Sequence, residues 1–185
     1  MSDQVSPAQI PPSPLRRLEG RSAVITGGGS GIGLATARRL AAEGAHVVVG
    51  DVDPVAGKAA AHEVGGIYVP VDVTSEEEVR RLYEVTQETY GRVDIAFNNA
   101  GISPPEDASI LETGIDAWRR VQEVNLTSVY YCCKYALPHM LAAGKGSILN
   151  TASFVAVMGA ATSQISYSAS KGGVLATSRE LGVEF

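Results

Sequence analysis

The sequence has little cysteine, no run of basic residues and no long apolar segment, and each of these absences excludes a class of protein. Lys and Arg are scattered and the formal net charge is −5, so a nucleic-acid partner is not expected. No apolar stretch reaches the length that a membrane-spanning helix needs. The first residues, up to about Leu15, also lack the apolar core of a signal peptide.

The two cysteines, Cys132 and Cys133, are neighbours in a segment predicted to be helical. Successive helical side chains point about 100° apart, which makes these thiols poor disulfide partners. We expect both to be buried and reduced, which fits a cytoplasmic location. The three histidines, His46, His62 and His139, are far apart and lack metal-ligand spacing, so no metal is expected.

The sequence does contain enough apolar residues, 45% of its 185, for one hydrophobic core. Its 20 glycines suit tight turns between strands and helices. Prolines concentrated before residue 15 indicate that residues 1–17 form a flexible tail. We therefore expect one domain over residues 18–185.

Short β-rich runs alternate with amphipathic segments along this domain. The predicted strands are residues 22–26, 46–50, 67–71, 93–97 and 147–151. The predicted helices are residues 31–43, a segment opening at Asp53-Pro54, a segment capped by Thr74 and running to Tyr90, residues 116–142 with a break near the start, and residues 166–185. The alternation predicts an α/β fold with a Rossmann-type doubly wound parallel sheet, whose ligands bind beyond the carboxyl ends of the strands.

A glycine-rich turn, Thr26-Gly-Gly-Gly-Ser-Gly-Ile-Gly33, joins the first predicted strand to the first helix. Spaced glycines let the backbone approach a pyrophosphate, and the helix N-terminus adds free N–H groups and partial positive charge. Glycine clusters also occur in ordinary flexible turns, but the flanking strand and helix favour a dinucleotide site. The candidate cofactor residues here are Gly27, Ser30, Gly31, Ile32 and Gly33.

Asp51 ends the second predicted strand and lies 18 residues after Gly33, close to the spacing of about 20 expected for an acid that holds ribose hydroxyls. A carboxylate there repels a 2′-phosphate, and Ser30 stands where a phosphate-reading enzyme favours Arg or Lys. Both features favour NAD over NADP. The alternative for Asp51 is a solvated turn residue, while Asp53 is better placed to cap the helix that opens at Pro54.

Two further segments follow predicted strand ends. After the third strand, Asp72 can accept a hydrogen bond from an adenine amino group and Val73 can make backbone contact. An ordinary turn-stabilising aspartate is the alternative. After the fourth strand, small residues allow close approach of a cofactor, and asparagine side chains can tie neighbouring strands together; these residues are Asn98, Asn99, Ala100 and Gly101.

Tyr167 and Lys171 share one face of the last predicted helix because they are four residues apart. A tyrosine is a weak base at neutral pH, but a unit charge about 4 Å away supplies roughly 4 kcal/mol at an effective dielectric near 20, enough to favour a phenolate. Ser153 follows the fifth predicted strand. Taken singly, these residues have ordinary explanations: a half-buried aromatic, a solvated lysine and a loop serine.

In their order and spacing, these motifs resemble those of the classical short-chain dehydrogenase/reductase family. The match covers about residues 18–185 and rests on the glycine turn, Asp72, the Asn98-Asn-Ala-Gly101 segment, Asn125, Ser153 and Tyr167-x-x-x-Lys171. The resemblance implies a Rossmann fold and an NAD-linked oxidoreductase that transfers hydride between a nicotinamide and an alcohol or ketone. NAD-linked members and 3-oxoacyl-carrier-protein reductase-like proteins are the similar groups.

The resemblance also implies roles for the site residues. Tyr167 would be the general acid/base on the substrate oxygen, and Ser153 would bind and orient that oxygen. Lys171 would bind the nicotinamide ribose and favour the phenolate, and Asn125 would hold a water that relays protons from the lysine. The helices carrying Asn125 and Lys171 would form a homodimer or homotetramer interface.

The sequence stops in the Tyr167 helix, where the family continues into further strands, a Pro-Gly segment at the nicotinamide and a substrate lid. We therefore expect an open hydrophobic edge at the fifth strand and little turnover by this chain. The alternative function is a non-catalytic nucleotide-binding or assembly module. Residues 102–105 and 154–158 are mostly apolar and are expected on the substrate side, which indicates a carbon-rich small-molecule alcohol or ketone.

Overall fold

A computed structural model describes residues 15–185. Most of the tail predicted at residues 1–17 lies outside these residues. Arg17, at the end of that segment, is attached to the domain, because its guanidinium donates hydrogen bonds of 2.6 and 3.1 Å to the buried carboxylate of Glu43. The domain boundary after residue 17 stays a prediction.

The described residues form one sheet of five parallel strands in the order β3-β2-β1-β4-β5. The strands are β1 (Ser22–Thr26), β2 (His46–Asp51), β3 (Ile67–Pro70), β4 (Ile95–Asn98) and β5 (Ser147–Asn150). Because β1 pairs with β2 on one side and β4 on the other, the chain order reverses beside β1. The predicted doubly wound sheet is confirmed, and the reversal creates a crevice at the carboxyl ends of β1 and β4.

The helices over residues 15–185 are α1 (Gly31–Ala42), α2 (Pro54–Val64), α3 (Glu76–Tyr90), α4 (Ile115–Gln122), α5 (Ser128–Ala142) and α6 (Ile165–Glu184). Helices α1 and α2 cover one face of the sheet, and α3 and α5 cover the other. Val47 and Val49 of β2 pack on the first face, and Val48 packs on the second. Burial on both faces explains why β2 is an uninterrupted apolar run.

Two predicted helix features are refined by the structure. The capping box expected at Thr74 is wrong by one residue: Ser75 is the N-cap of α3, and its hydroxyl accepts a 3.3 Å hydrogen bond from the Glu78 N–H. Thr74 instead donates its hydroxyl to Asp72. The predicted break in the 116–142 helix is a π-helical turn, Glu123–Thr127. Such a turn contains one extra residue per turn.

Both cysteines are buried free thiols, as predicted. Burial raises the pKa of Cys132 to about 12, and burial raises that of Cys133 to about 11. Since the thiolate is the reactive form, neither residue is prepared to act as a nucleophile. Within residues 15–185, no helix combines the length and the apolar content needed to cross a bilayer.

Strand β5 is one edge of the described sheet, and its apolar side chains are incompletely covered. Leu149 is 47% exposed. A groove of about 660 Å³ runs along this edge, lined by residues that include Ile148, Leu175, Leu181 and Phe185. The expected open hydrophobic edge at the fifth strand is therefore present in the described chain.

A buried carboxylate, Asp94, lies at the amino-terminal ends of the parallel strands, directly before β4. Burial opposes its ionisation, but hydrogen bonds from Arg92, the Ser22 N–H and Arg21 outweigh burial and lower its pKa from 3.8 to about 2. A carboxyl group with a pKa depressed on folding stabilises the fold above its unfolded pKa, here by about 2 kcal/mol. That contribution is lost as the pH falls from about 4 to about 2.

We therefore expect Asp94→Asn to lower the free energy of unfolding by about 2 kcal/mol at pH 7 and by much less near pH 2. Urea unfolding at a series of pH values measures this difference. Glu77→Gln removes a carboxylate from an exposed ion pair with Arg80, so this control should change stability little at any pH. A pH-independent effect of Asp94→Asn would contradict the assignment.

Candidate active site

A cleft of about 800 Å³ opens at the carboxyl ends of the strands, where the doubly wound order predicts a ligand site. It gathers candidate residues from several strand ends: Gly27, Ser30, Gly31, Ile32, Asp51, Asp72, Val73, Asn99, Ala100 and Gly101. Of the other candidates, Gly33 and Asn98 are buried. The catalytic candidates are likewise not among the residues that line this cleft: Asn125, Ser153, Tyr167 and Lys171. Ile102, expected on the substrate side, also lines the cleft, together with residues that the sequence did not indicate: Val52, Val71, Thr74, Arg120 and Val124.

The glycine-rich turn between β1 and α1 has a conformation that requires glycine. Gly27 and Gly31 have φ angles of 62° and 52°, in the left-handed region. A Cβ atom on Gly33 would lie 2.1 Å from the Gly27 carbonyl oxygen, so the turn and helix approach closely only without a side chain there. Ser30, the N-cap of α1, makes no side-chain capping bond. The first N–H groups of α1 therefore lack a side-chain cap, as a ligand site at a helix N-terminus requires.

Asp51, at the end of β2, organises the neighbouring turns. Its Oδ2 accepts a 2.8 Å hydrogen bond from the Gly29 N–H, and its Oδ1 accepts a 2.9 Å bond from the Asp53 N–H. Asp53 in turn caps α2, as predicted. Asp51 still lines the cleft, and each carboxylate oxygen has capacity for a further bond. Its turn-stabilising contacts and a role in holding ribose are therefore compatible.

Asp72 also stabilises a turn, the alternative that its sequence position left open. Its Oδ1 accepts hydrogen bonds from the Thr74 N–H at 2.9 Å and the Thr74 hydroxyl at 2.7 Å. Asp72 is nevertheless exposed in the cleft, while Val73 beside it is buried. The second oxygen, Oδ2, accepts no hydrogen bond from residues 15–185 and so remains available to a ligand.

The two asparagines after β4 tie strand ends together, as predicted. Asn98 Nδ2 donates a 2.7 Å hydrogen bond to Asn150 Oδ1 in β5. Asn99 Nδ2 donates to the carbonyls of Thr26 and Gly27 at 3.1 and 3.2 Å. The Thr26 hydroxyl accepts a 3.1 Å bond from the Asn99 N–H. The ends of β1, β4 and β5 are thereby fixed relative to one another.

Lys171 is a buried cation on α6, only 3% exposed, and not the solvated lysine that its sequence position alone permits. Its Nζ donates a 2.7 Å hydrogen bond to the Thr151 carbonyl just beyond β5. The same Nζ lies 5.6 Å from the centroid of the Tyr167 ring. Burial lowers the pKa of Lys171. The lysine and the tyrosine are therefore neighbours on one face of α6.

Asn125 is buried in the π-helical turn and connects separate segments. Its Oδ1 accepts a 2.7 Å hydrogen bond from the Ile102 N–H, and its Nδ2 donates to the Ile102 carbonyl at 2.9 Å and to Ser170 Oγ at 3.2 Å. A Cβ atom on Gly101 would lie 3.3 Å from Asn125 Oδ1 and 3.5 Å from Lys171 Nζ. The asparagine and the lysine therefore meet beside Gly101, and the proton-relay role stays a prediction.

The hydroxyls of Ser153 and Tyr167 make no hydrogen bond to any other residue between 15 and 185. Ser153 begins a short 3₁₀ turn, Phe154–Ala156, which packs against α6. This turn and the residues after it expose apolar side chains, with Phe154 at 64% and Met158 at 61%. Unpaired hydroxyls next to an exposed apolar surface suit an alcohol or carbonyl group on a carbon-rich skeleton.

Some residues that hold the site are not recognisable in the sequence. Asp107 accepts hydrogen bonds from the backbone N–H groups of Ser166 and Tyr167, and Gln122 donates to the Ser166 carbonyl. These partners are 44 to 60 residues apart, so no local motif links them. The available signal is indirect: Gln164, directly before α6, is a poor capping residue.

The residues present fit a nicotinamide dinucleotide. The glycine turn leaves no room for a Cβ at Gly33. The carboxylates of Asp51 and Asp72 lie at the ends of β2 and β3. The Tyr167–Lys171 pair lies on α6, which follows β5. Residues 15–185 contain no group of three His, Cys, Asp or Glu side chains that could hold a metal ion. Fold and site together define a doubly wound α/β domain with a cleft suited to a dinucleotide and a tyrosine–lysine pair.

The family is given by similarity to known proteins. Residues 21–185 match the family model described as short chain dehydrogenase. The chain therefore belongs to the short-chain dehydrogenase family, as its motifs predict.

Several relatives extend this assignment. Secoisolariciresinol dehydrogenase from Forsythia intermedia is 41% identical over 172 residues, which are 91% of this chain and 62% of that protein. Cis-4-hydroxycyclohexanecarboxylate dehydrogenase from Sinomonas cyclohexanicum is 45% identical over 171 residues, 89% of this chain and 67% of that protein. The crystal structure of levodione reductase matches with a TM-score of 0.87 at 35% identity, covering 91% of this chain and 67% of that one. This chain thus spans 62 to 67% of the length of these three proteins.

Proposed function

We propose that the protein is an NAD-linked oxidoreductase that interconverts the CH–OH group of an alcohol and the C=O group of a ketone. The observation that carries this proposal is the buried Lys171 ammonium beside the Tyr167 ring, at the carboxyl end of the sheet where the glycine turn also lies. Membership in the short-chain dehydrogenase family supports it. A bound nicotinamide would accept or supply the hydride, while the residues of the chain handle the proton.

Tyr167 is the proposed general acid/base. When an alcohol is oxidised, its phenolate takes the hydroxyl proton from the substrate; when a ketone is reduced, its phenol returns a proton to the oxygen. The Lys171 ammonium stabilises the phenolate in a poorly solvated setting. Ser153 donates its unpaired hydroxyl to the substrate oxygen and so orients it and stabilises developing negative charge.

Lys171 and Asn125 complete the proposed catalytic group. One Nζ hydrogen of Lys171 is used by the Thr151 carbonyl, which leaves two to bind the nicotinamide ribose. Asn125 holds the backbone of Ile102 on both its N–H and carbonyl. We include the water-mediated relay from Lys171 past Asn125 as part of the proposal.

The preference for NAD is supported by the charges in the cleft. Asp51 lies at the end of β2, where the adenosine ribose is expected, and a carboxylate there repels a 2′-phosphate. Ser30 supplies no positive charge, and Arg120 on α4 is the only Lys or Arg that lines the cleft among residues 15–185. Asp72, with its free Oδ2, and Val73 would contact the adenine.

Removing the Asp51 charge should change cofactor preference. We expect Asp51→Asn, which retains the shape of the side chain, to tighten NADP binding at least about tenfold and to weaken NAD binding by a similar factor. Calorimetric titration with each cofactor measures the ratio of the two Kd values. Asp53→Asn is the matched control, because Asp53 caps α2 two residues away and should leave that ratio unchanged. An unchanged ratio in Asp51→Asn would overturn its ribose-binding role.

The substrate side supports a carbon-rich alcohol or ketone. Phe154, Val157 and Met158 expose apolar surface next to Ser153. Secoisolariciresinol, cis-4-hydroxycyclohexanecarboxylate and meso-2,3-butanediol dehydrogenases are among the relatives. We propose a small-molecule alcohol that is flanked by apolar carbons, bound with its oxygen at Ser153 and Tyr167.

Titration of NAD and NADP into the purified chain, followed by assays of NADH formation with cyclic and acyclic secondary alcohols, tests this function. NAD binding with slow turnover of at least one alcohol is the expected result, since little turnover is expected of this chain. NAD binding without turnover across the panel would favour the non-catalytic nucleotide-binding or assembly module. Failure to bind either cofactor would overturn both readings.

The proposal includes the cellular location and the oligomeric state of the protein. Two buried reduced thiols fit the cytoplasm. A homodimer or homotetramer would form through the helices that carry Asn125 and Lys171, where α5 exposes Tyr130 and Leu141. Light scattering of the purified protein measures the oligomeric state.

A further inference from the structure

Helix α6 carries both Tyr167 and Lys171 but has no cap of its own. Every α-helix begins with N–H groups that lack intrahelical partners, and a Ser, Thr, Asp or Asn at the N-cap usually satisfies some of them. The N-cap of α6 is Gln164, which makes no side-chain capping bond. Tyr167 lies in this first turn, so its placement depends on whatever satisfies these N–H groups.

A distant loop residue supplies the missing cap. The N–H groups of Ser166 and Tyr167 donate hydrogen bonds of 2.8 and 2.7 Å to the two oxygens of the Asp107 carboxylate. The Ile165 N–H donates to the Ala108 carbonyl at 3.1 Å, and the first intrahelical bond then follows at the Ser168 N–H. Two adjacent loop residues therefore satisfy the first three N–H groups of α6.

Asp107 is a buried residue beside the site and not a surface residue. It is 5% exposed, and charge-assisted bonds of this length are among the stronger protein hydrogen bonds. The loop that carries it begins at Gly101 and Ile102, which line the cleft. Asn125 holds the Ile102 backbone through two hydrogen bonds. The cofactor-facing loop and the first turn of the tyrosine helix are thus joined through one carboxylate.

Helices α1 and α6 differ in how their N-terminal N–H groups are capped. Helix α1 begins at Ser30 without a side-chain cap, which suits binding of a phosphate. Helix α6 has a carboxylate in place against its N-terminus, so its partial positive charge is already neutralised. The α6 terminus is therefore fixed by the protein and not left for a ligand.

We propose that Asp107 is a positioning residue for catalysis: its carboxylate fixes the first turn of α6 and thereby sets the Tyr167 hydroxyl relative to Lys171 and the substrate oxygen. This inference rests on the proposed role of Tyr167 as general acid/base. Asp107 itself does not line the cleft that holds the glycine turn, Asp51 and Asp72.

The test is Asp107→Asn, which keeps the volume of the side chain but replaces one acceptor oxygen by a donor NH₂ that opposes an N–H group. We expect kcat to fall by roughly 10- to 100-fold, because displacement of about 1 Å costs catalysis of this order. The Kd for NAD should stay within about twofold. The primary deuterium isotope effect on kcat should increase as proton and hydride transfer become slower. Glu106→Gln, at the exposed neighbouring residue, is the matched control and should leave all three quantities unchanged.

A merely structural role would lower the fraction of folded protein without changing the isotope effect per active site, and that result would overturn the proposal. Equal kcat in Asp107→Asn and wild type would also overturn it. Amide hydrogen exchange measured by NMR gives a readout without turnover: the Ser166 and Tyr167 amides should lose protection in Asp107→Asn but not in Glu106→Gln. If wild type binds NAD but turns over no alcohol, the function fails while the exchange result still decides whether Asp107 fixes this helix.

Discussion

Tyr167→Phe should lower kcat about 1000-fold while leaving the Kd for NAD within about threefold of wild type. The substitution removes only the phenolic oxygen, and the ring, which lies 5.6 Å from Lys171 Nζ, keeps its place. No other residue is proposed to move the substrate proton, so the remaining rate reflects orientation by Ser153 and hydride transfer without a proton acceptor. Single-turnover kinetics with saturating NAD, at a series of pH values, separate this chemical step from binding.

The matched control is Tyr130→Phe, because Tyr130 is an exposed tyrosine on α5 outside the cleft. Its kcat and cofactor affinity should equal those of wild type. If Tyr167→Phe retained more than about a tenth of the wild-type kcat, a group other than Tyr167 would have to move the proton. That result would leave the dinucleotide site intact as a hypothesis and reject the proposed chemistry.

Gly33→Ala is expected to have the second large effect, on both stability and cofactor binding. The new Cβ would lie 2.1 Å from the Gly27 carbonyl oxygen and 2.8 Å from Asn99 Nδ2. Neither backbone nor a strand-tying amide can move away without distorting the glycine turn. We expect the free energy of unfolding to fall by about 2–4 kcal/mol and Tm by about 5–15 °C. NAD affinity should fall at least about 100-fold, since the turn that approaches the pyrophosphate is displaced.

Gly182→Ala provides the control for this substitution. Gly182 lies in α6 in open space, where an added Cβ meets no atom within 4 Å, and alanine favours a helix by about 1 kcal/mol over glycine. Thermal unfolding should show equal or higher Tm, with unchanged NAD affinity. If Gly33→Ala bound NAD as tightly as wild type, the glycine turn would not be the pyrophosphate site.

Much of the fold could be predicted because its signals are local. The apolar run of β2 and the glycines after β1 lie within a few residues of the structures they specify, and the doubly wound sheet follows from their alternation. The errors are local as well. The α3 cap fell at Ser75 and not Thr74, because Asp72 engages Thr74 in the preceding turn, a competition between two neighbouring hydroxyl residues that a capping pattern does not resolve.

The candidate site was only partly predictable. The sequence indicated that Asp51 and Asp72 follow strands, but the hydrogen bonds that hold each carboxylate to its turn come from the structure. It also placed Asn125 in mid-helix, whereas the π-helical turn buries it against Ile102. Each of these outcomes depends on which backbone N–H lies nearby in space.

By itself, the sequence determined the class of fold, the family and the pairing of Tyr167 with Lys171, because helical spacing and strand–helix alternation act over short distances. Only the tertiary structure decided that Lys171 is buried against the Thr151 carbonyl and that Asp107 caps the tyrosine helix from about 60 residues away. A helix N-terminus must be satisfied by some acceptor, but physics does not require that acceptor to be near in sequence. The sequence leaves the first N–H groups of α6 without a local side-chain cap, and the folded loop supplies the Asp107 carboxylate as their acceptor.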